Sequence, residues 1–240
     1  MKVLVVDDDK LARKGLISIM DWGKYGFEVV GDVQNGRKAL EFLKDNEVDI
    51  VFTDIDMPEI DGIELMKMCK KEYPEVKFVV FSMYEDFRYA QSALRLGALD
   101  YISKISFDGD ECDQILELVE RKYMENQSKK MVQIVYDALD EKLGEDIEIL
   151  KVDEISVIAD YLVIANGRNQ NQLNAMTDLV EEKMIEAGYK SKRIEGNKNS
   201  SWVLMDYGDV IVHVFSKEDR LFYDLERIWK DGKKISREEL

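Results

Sequence analysis

Three short apolar runs and a fourth short segment in the first half of the chain each lead directly into a residue that can do polar chemistry. This recurrence constrains the fold more than any other feature. Residues 2–6, KVLVV, are followed at once by Asp7, Asp8 and Asp9; residues 49–53 end at Asp54; residues 77–81 end at Ser82; residues 100–103 lead to Lys104. The runs are short, and the first is rich in β-branched residues, as expected for strands buried on both faces. Between them apolar residues recur at helical spacing, as in Leu11, Leu16, Ile19 and Met20, or Ile63, Leu65, Met66 and Cys69. Strand and helix therefore alternate, the pattern of a doubly wound parallel sheet with covered faces. Ligand sites in such sheets gather beyond the strand C-termini, where Asp7, Asp8, Asp54, Ser82 and Lys104 all fall.

That set suits one kind of chemistry. Several carboxylates hold a hard divalent cation such as Mg²⁺ through oxygen, and the cation admits a phosphoryl donor that bare carboxylates would repel. One carboxylate can then attack phosphorus, while a hydroxyl and an ammonium hold the other phosphoryl oxygens. Any single Asp is more simply a helix cap or turn former, and Asp9 before a helix starting at Lys10 fits that role.

The motifs LVVDDDKLARKGL, TDIDMPEIDGIEL and VFSMYEDFRYAQSALRLGALDYISK resemble the response-regulator receivers, most closely those that precede AraC-type DNA-binding modules. The resemblance covers residues 1–123 and implies a five-stranded flavodoxin-like fold. It assigns Asp7 and Asp8 to the metal, Asp54 as nucleophile, the backbone carbonyl of Asp56 as a further metal ligand, Ser82 and Lys104 as switch hydroxyl and lysine, and Tyr101 as the aromatic that reports phosphorylation. It also implies a sensor histidine kinase or small phosphodonor as partner. Ile105 stands where the family carries a proline after the lysine, held as a cis peptide. A cis bond before a non-proline residue costs about 2.5–4 kcal/mol, which leaves the isomer at Lys104–Ile105 open.

At 240 residues and 45% apolar content the chain has room for two domains of ordinary size. The polar stretch MENQSKK, residues 124–130, separates two apolar-periodic helices and marks the boundary between domains at 1–123 and 124–240. The net charge of −16 is shared between the halves and disfavours nonspecific nucleic-acid binding. With no helix-turn-helix pattern after Lys122, direct DNA binding is not expected. Cys69 and Cys112 are far apart and lack zinc-ligand spacing, so buried free thiols are expected. No run is long and apolar enough for a membrane span, and the start lacks a secretion signal, so a cytoplasmic protein is expected.

In the second half a helix signal runs from Lys130 through Ile134, Val135, Ala138 and Leu139. Residues 147–152 and 161–165 read as strands, and Gly167 opens a polar loop. A second amphipathic helix follows, with Leu173, Met176, Val180, Met184 and Ala187 inward and Gly188 at its end. Residues 202–205 and 210–215 flank the turn Asp206-Tyr207-Gly208-Asp209 as an antiparallel hairpin of a mixed sheet, and residues 220–229 read as one helix. His213, the sole histidine, and the turn acids Asp206 and Asp209 attract a search for catalysis. A lone strand histidine and acids around a turn glycine are more simply structural.

The motifs VIADYLVIANG, SSWVLMDYGDVIVHVF and FYDLERIWKDG resemble the ribosome silencing factor (Iojap) family over residues 124–235. That resemblance implies a nucleotidyltransferase-like α/β fold, a homodimer, and binding to a large-subunit ribosomal protein at the subunit-joining face, which would repress translation. Candidate interface residues are Trp202, Tyr207, His213, Tyr223, Asp224, Glu226 and Trp229, since amphipathic aromatics give large contact area with few rotors. In the loop GRNQNQL, Asn169 and Asn171 replace the family's small hydroxyl and arginine, although Gln172 fits. The Gly-Ser element of active nucleotidyltransferases is lacking, so no enzyme activity beyond receiver self-phosphorylation is expected. Two further readings stay open: a fusion, natural or engineered, of two functionally uncoupled halves, and a nucleotidyltransferase-like enzyme; a signalling protein acting on transcription is disfavoured by the missing helix-turn-helix pattern and the acidic second half.

Overall fold

The computed structural model describes residues 1–83, 87–104 and 109–240, which divide into compact units at Met1–Met124 and Glu125–Leu240. The first unit runs β1 (Lys2–Val6), α1 (Lys10–Ile19), β2 (Glu28–Val33), α2 (Gly36–Asp45), β3 (Ile50–Thr53), α3 (Gly62–Glu72), β4 (Lys77–Ser82), α4 (Phe87–Leu96) and β5 (Asp100–Ser103), then enters α5 (Gly109–Glu141). The strands are all parallel, in the order β2-β1-β3-β4-β5.

Successive strand residues point to opposite faces, so each central strand feeds two core layers. Val3 and Val5 of β1 join Ile50, Phe52, Val79 and Phe81 against Leu16, Met20, Leu116 and Val119. Leu4 and Val6 join Val51 and Val80 against Ala39, Leu43, Leu65 and Met66. Both faces are covered, which explains the unbroken apolar runs. Leu11, expected on the buried stripe of α1, is 83% exposed, whereas Arg13 is 8% exposed. The inward stripe of α1 passes through residues 13, 16 and 20. Asp9 caps α1, accepting from the backbone N–H groups of Leu11 and Ala12. Both cysteines are buried and outside any disulfide, and burial pushes the Cys69 thiol up to about 12.

The second unit contains the rest of α5, β6 (Glu145–Lys151), β7 (Tyr161–Gly167), α6 (Gln170–Glu186), β8 (Arg193–Glu195), β9 (Trp202–Asp206), β10 (Val210–Ser216), α7 (Lys217–Tyr223), α8 (Leu225–Ile228) and β11 (Lys233–Ile235). Its mixed sheet has the order β11-β6-β7-β10-β9-β8. The β7–β10 pair is parallel and the other pairs are antiparallel. One face packs Val163, Ala165, Val212 and Val214 against Val132, Val135 and Leu139 of α5 and Leu173, Met176 and Val180 of α6. The other packs Leu150, Leu162, Ile164 and Phe215 with Leu225 and Trp229.

Two helical expectations are corrected. The stretch 124–130 does not separate two helices but lies within α5. It contains no proline or glycine, most of its residues are good helix formers, and Lys129 pairs with Glu125 one turn away. Ser128, fully buried, donates to Asp160 Oδ2 at 2.8 Å. Conversely, residues 220–229 are not one helix. Asp224 takes a left-handed conformation with φ 46° and separates α7 from α8. Gly167 is the last residue of β7 rather than the first of a loop. No described helix is long and apolar enough to cross a membrane.

Candidate functional site

The parallel register of the first unit delivers its polar residues to one edge. Asp54 N–H donates to Val6 O at 2.9 Å, and Lys104 N–H donates to Ser82 O at 2.9 Å. Ser82 at the end of β4 and Asp7, Asp54 and Lys104 just beyond β1, β3 and β5 therefore stand along one edge. Lys104 Nζ bridges the two acids, 2.6 Å from Asp7 Oδ2 and 2.8 Å from Asp54 Oδ2. Asp7 Oδ1 accepts from Asp9 N–H at 2.8 Å, and Asp54 Oδ1 from Ile55 N–H at 2.7 Å. Each carboxylate is thus fixed at one oxygen by backbone and held at the other by the ammonium.

Asp7 and Asp54 are buried, and Asp8 lies exposed beside them. Burial raises the Asp7 pKa, with the Lys104 hydrogen bond and charge pulling the other way. Burial also lowers the Lys104 pKa, but its hydrogen bonds to Asp54 and Asp7 outweigh that and the net shift is upward. One ammonium thus faces two desolvated carboxylates. One oxygen from each of Asp7, Asp8 and Asp54 lies within 4.8 Å of the others. An all-oxygen donor set carrying more negative charge than Lys104 neutralises fits a hard divalent cation such as Mg²⁺. The Asp56 side chain is exposed two residues beyond Asp54, Tyr101 is half-buried against the layer containing Val80, and Ser82 is fully buried. Ile105 lies outside the described residues.

Close backbone approach makes this edge possible. A Cβ at Gly62 would lie 2.1 Å from Asp54 O, so α3 can begin there only with glycine. Glu59 holds φ at 72° and accepts from Asn35 Nδ2 at 2.9 Å while pairing with Arg37. The loop carrying Asp56 is thereby tied to the start of α2.

In the second unit, Trp202 and Phe215 stack with ring centroids 5.0 Å apart, and Tyr223 lies 4.8 Å from Trp202. Trp202 Nε1–H donates to His213 Nδ1 at 3.2 Å. Burial pushes the His213 pKa down to about 4, so the ring is neutral at physiological pH.

Residues 3–117 match the response regulator receiver domain model, and residues 125–240 match the model for the ribosomal silencing factor during starvation. Over 111 residues the chain is 37% identical to the ribosomal silencing factor RsfS of Halalkalibacterium halodurans, a match that covers 46% of this chain and 95% of that protein. The chain belongs to the ribosomal silencing factor family and carries a response regulator receiver domain. The receiver is 36% identical over 103 residues to the uncharacterized transcriptional regulatory protein YesN of Bacillus subtilis, covering 43% of this chain and 28% of that protein. Among solved structures, the receiver domain of AraT from Geobacillus stearothermophilus is 35% identical, covering 52% of this chain and 97% of that one, with a TM-score of 0.48.

In the silencing-factor unit Trp202, His213, Tyr223 and Trp229 gather on one face of the sheet, whereas Tyr207 lies in the layer on the other face. Tyr207 and His213 are each 7% exposed, so these two are interior residues and the expectation of a surface role is corrected. Tyr207 lies in the layer under α5 and α6 because the turn folds it back, with its N–H donating to Val210 O. His213 sits on β10, flanked by β7 and β9. Trp202 and Trp229 are half-buried, Glu226 is engaged by Arg220 at 2.7 Å, and Asp224 pairs with Arg227 at 2.9 Å. Tyr223 remains accessible, beside the strongly exposed Leu221, Phe222 and Ile228.

Sequence reasoning missed two arginines. Arg220 donates from Nη1 to Asp146 O and Asn166 Oδ1 and from Nε to Glu226, tying α7 to β6 and β7. Arg13 pairs with Asp32 and donates to Asp7 O in the receiver. The signal for Arg13 was its place on the 13-16-20 stripe, where a charged residue must find a buried partner.

Proposed function

We propose that this chain is a cytoplasmic, ribosome-binding translational repressor whose silencing-factor unit blocks joining of the ribosomal subunits, and whose receiver takes a phosphoryl group on Asp54. The observation that supports the receiver chemistry is the Lys104 bridge between Asp7 and Asp54 beside a third carboxylate. Asp54 Oδ1 is fixed by Ile55 N–H, and Oδ2 faces Lys104. In the proposed transfer an Asp54 carboxylate oxygen attacks phosphorus in line with the leaving oxygen or nitrogen, forming an acyl phosphate as the donor departs. Lys104 would move its hydrogen bonds to the new phosphoryl oxygens, and Ser82 would hold another through its hydroxyl. Mg²⁺ held by Asp7, Asp8, Asp54 and the Asp56 carbonyl would neutralise the charge of donor and site. The donor is a sensor histidine kinase or a small phosphodonor.

For the second unit, a match over 95% of the length of a silencing factor supports a ribosomal role, and its proposed partners are a large-subunit ribosomal protein and a second copy of this chain. Exposed Tyr223, Leu221 and Phe222 are the proposed contact group. Incubation with acetyl phosphate and Mg²⁺ tests the receiver chemistry. Intact mass is expected to rise by one phosphoryl group in the wild type and not in Asp54→Asn. An equal gain in the variant would overturn Asp54 as acceptor.

A further inference from the structure

Arg13 is the most deeply buried cation of the receiver that the phosphoryl-transfer chemistry leaves unused. Its position in the first turn of α1 points the side chain inward, between the ends of β1 and β2. There Nε donates to Asp32 Oδ2 at 2.8 Å, and Nη1 donates to the main-chain oxygen of Asp7. The side chain is 10% exposed and that of Asp32 24%. Asp32 is itself held by Lys14 Nζ at 2.8 Å, and Lys14 first and Arg13 second lower its pKa, so it stays an anion and a fixed anchor.

The Asp7 carbonyl is separated from the Asp7 carboxylate by only the α and β carbons. That carboxylate accepts from Asp9 N–H and Lys104, but both contacts reach the side chain alone. The strand ladder fixes the other side of the residue, through Asp7 N–H donating to Val33 O at 3.1 Å. Past that bond β1 has ended, and among the described residues no strand pairs with the peptide after Asp7. Arg13 supplies the missing restraint. A guanidinium can serve both points because its donors are spread over a rigid plane, whereas an ammonium is a single point.

We propose that Arg13 is a positioning residue of the acidic site: anchored by Asp32, it orients the Asp7 peptide and so sets the carboxylate's geometry toward the divalent cation. The inference rests on the metal-dependent phosphoacceptor reading above and names a residue that controls it. Residues that orient metal ligands without touching the metal commonly change affinity about tenfold or more when lost.

The test uses the full chain in four forms: wild type, Arg13→Lys, Arg13→Gln and Asp32→Ala. Calorimetric titration with Mg²⁺ is run well below each variant's thermal midpoint, alongside the Mg²⁺ dependence of Asp54 phosphorylation from acetyl phosphate. Both Arg13 variants are expected to weaken Mg²⁺ binding by about tenfold. Asp32→Ala, which keeps Arg13 but removes its anchor, is expected to lie between them and the wild type. At saturating Mg²⁺ the phosphorylation rate should largely recover. Wild-type Mg²⁺ affinity in either Arg13 variant, even with a lower thermal midpoint, would overturn the inference and leave Arg13 a packing residue. If the wild type binds Mg²⁺ but gains no phosphoryl group, the phosphoacceptor reading fails while the titration still judges Arg13. If the wild type binds no Mg²⁺, both fail.

Discussion

Lys104 shows how one side chain sets the electrostatics of the receiver edge. It is the shared partner of two buried carboxylates, and removing a partner from a buried ionic group leaves a charge without compensation. Lys104→Met is therefore expected to destabilise the receiver by roughly 3 kcal/mol at neutral pH. Millimolar Mg²⁺ should recover much of this in a thermal melt. His213 gives a pH prediction of the opposite kind. Burial lowers its pKa from 6.5 to about 4, so the folded state binds fewer protons than the unfolded state in that window. Its contribution to stability is complete above pH 6.5 and is lost as pH falls toward about 4. Since His213 is the sole histidine, one imidazole resonance reports it, and that resonance should not titrate between about pH 8 and pH 5.5. Asp7, Asp8, Asp54, Ser82 and Lys104 were legible because they fall where short strand-like segments end, and the strand register then brings those ends together. Arg13 was not, because its meaning depends on Asp32, a strand away. Tyr207 was misread because an aromatic in a turn looks exposed until the turn folds back onto the core.

Among elements, the α3 entry is the tightest constraint. Gly62 sits where a Cβ would overlap Asp54 O, and its N–H donates to Ile55 O at 2.9 Å. Gly62→Ala should cost roughly 1–3 kcal/mol, as overpacking does. Because the backbone that must yield is that of Asp54, phosphorylation should slow as well, by more than the folded fraction accounts for. The break between α7 and α8 carries the reverse prediction. Asp224 pays for its left-handed backbone without capping α8 through its side chain, so Asp224→Gly should leave the thermal midpoint unchanged or raise it slightly. Periodicity revealed the long central strands and helices, whose buried faces are continuous. It missed β2, where Gly31 lies close against the Phe42 ring in a half-buried edge strand. It also missed β8 and β11, three residues each and mostly exposed, because such strands carry no apolar signal of their own. The unbroken α5 was missed because polarity alone was read as a stop, although helices end where the backbone fails, at glycine, proline or a cap.

At the scale of the whole molecule, two units with separate cores share one chain and one sign of charge. Each contains the buried layers expected of an autonomous domain. The silencing-factor unit spans nearly the full length of a stand-alone relative, so residues 125–240 alone should fold and bind as the whole chain does. Leu221→Ala combined with Phe222→Ala should weaken that binding without lowering the thermal midpoint, because both side chains are largely exposed. The most direct test is sedimentation of the whole chain with purified ribosomal subunits through a sucrose cushion. The chain is expected to pellet with large subunits in a saturable manner and to stay in the supernatant with small subunits. If it stays in the supernatant with both, it is not a ribosome-binding repressor.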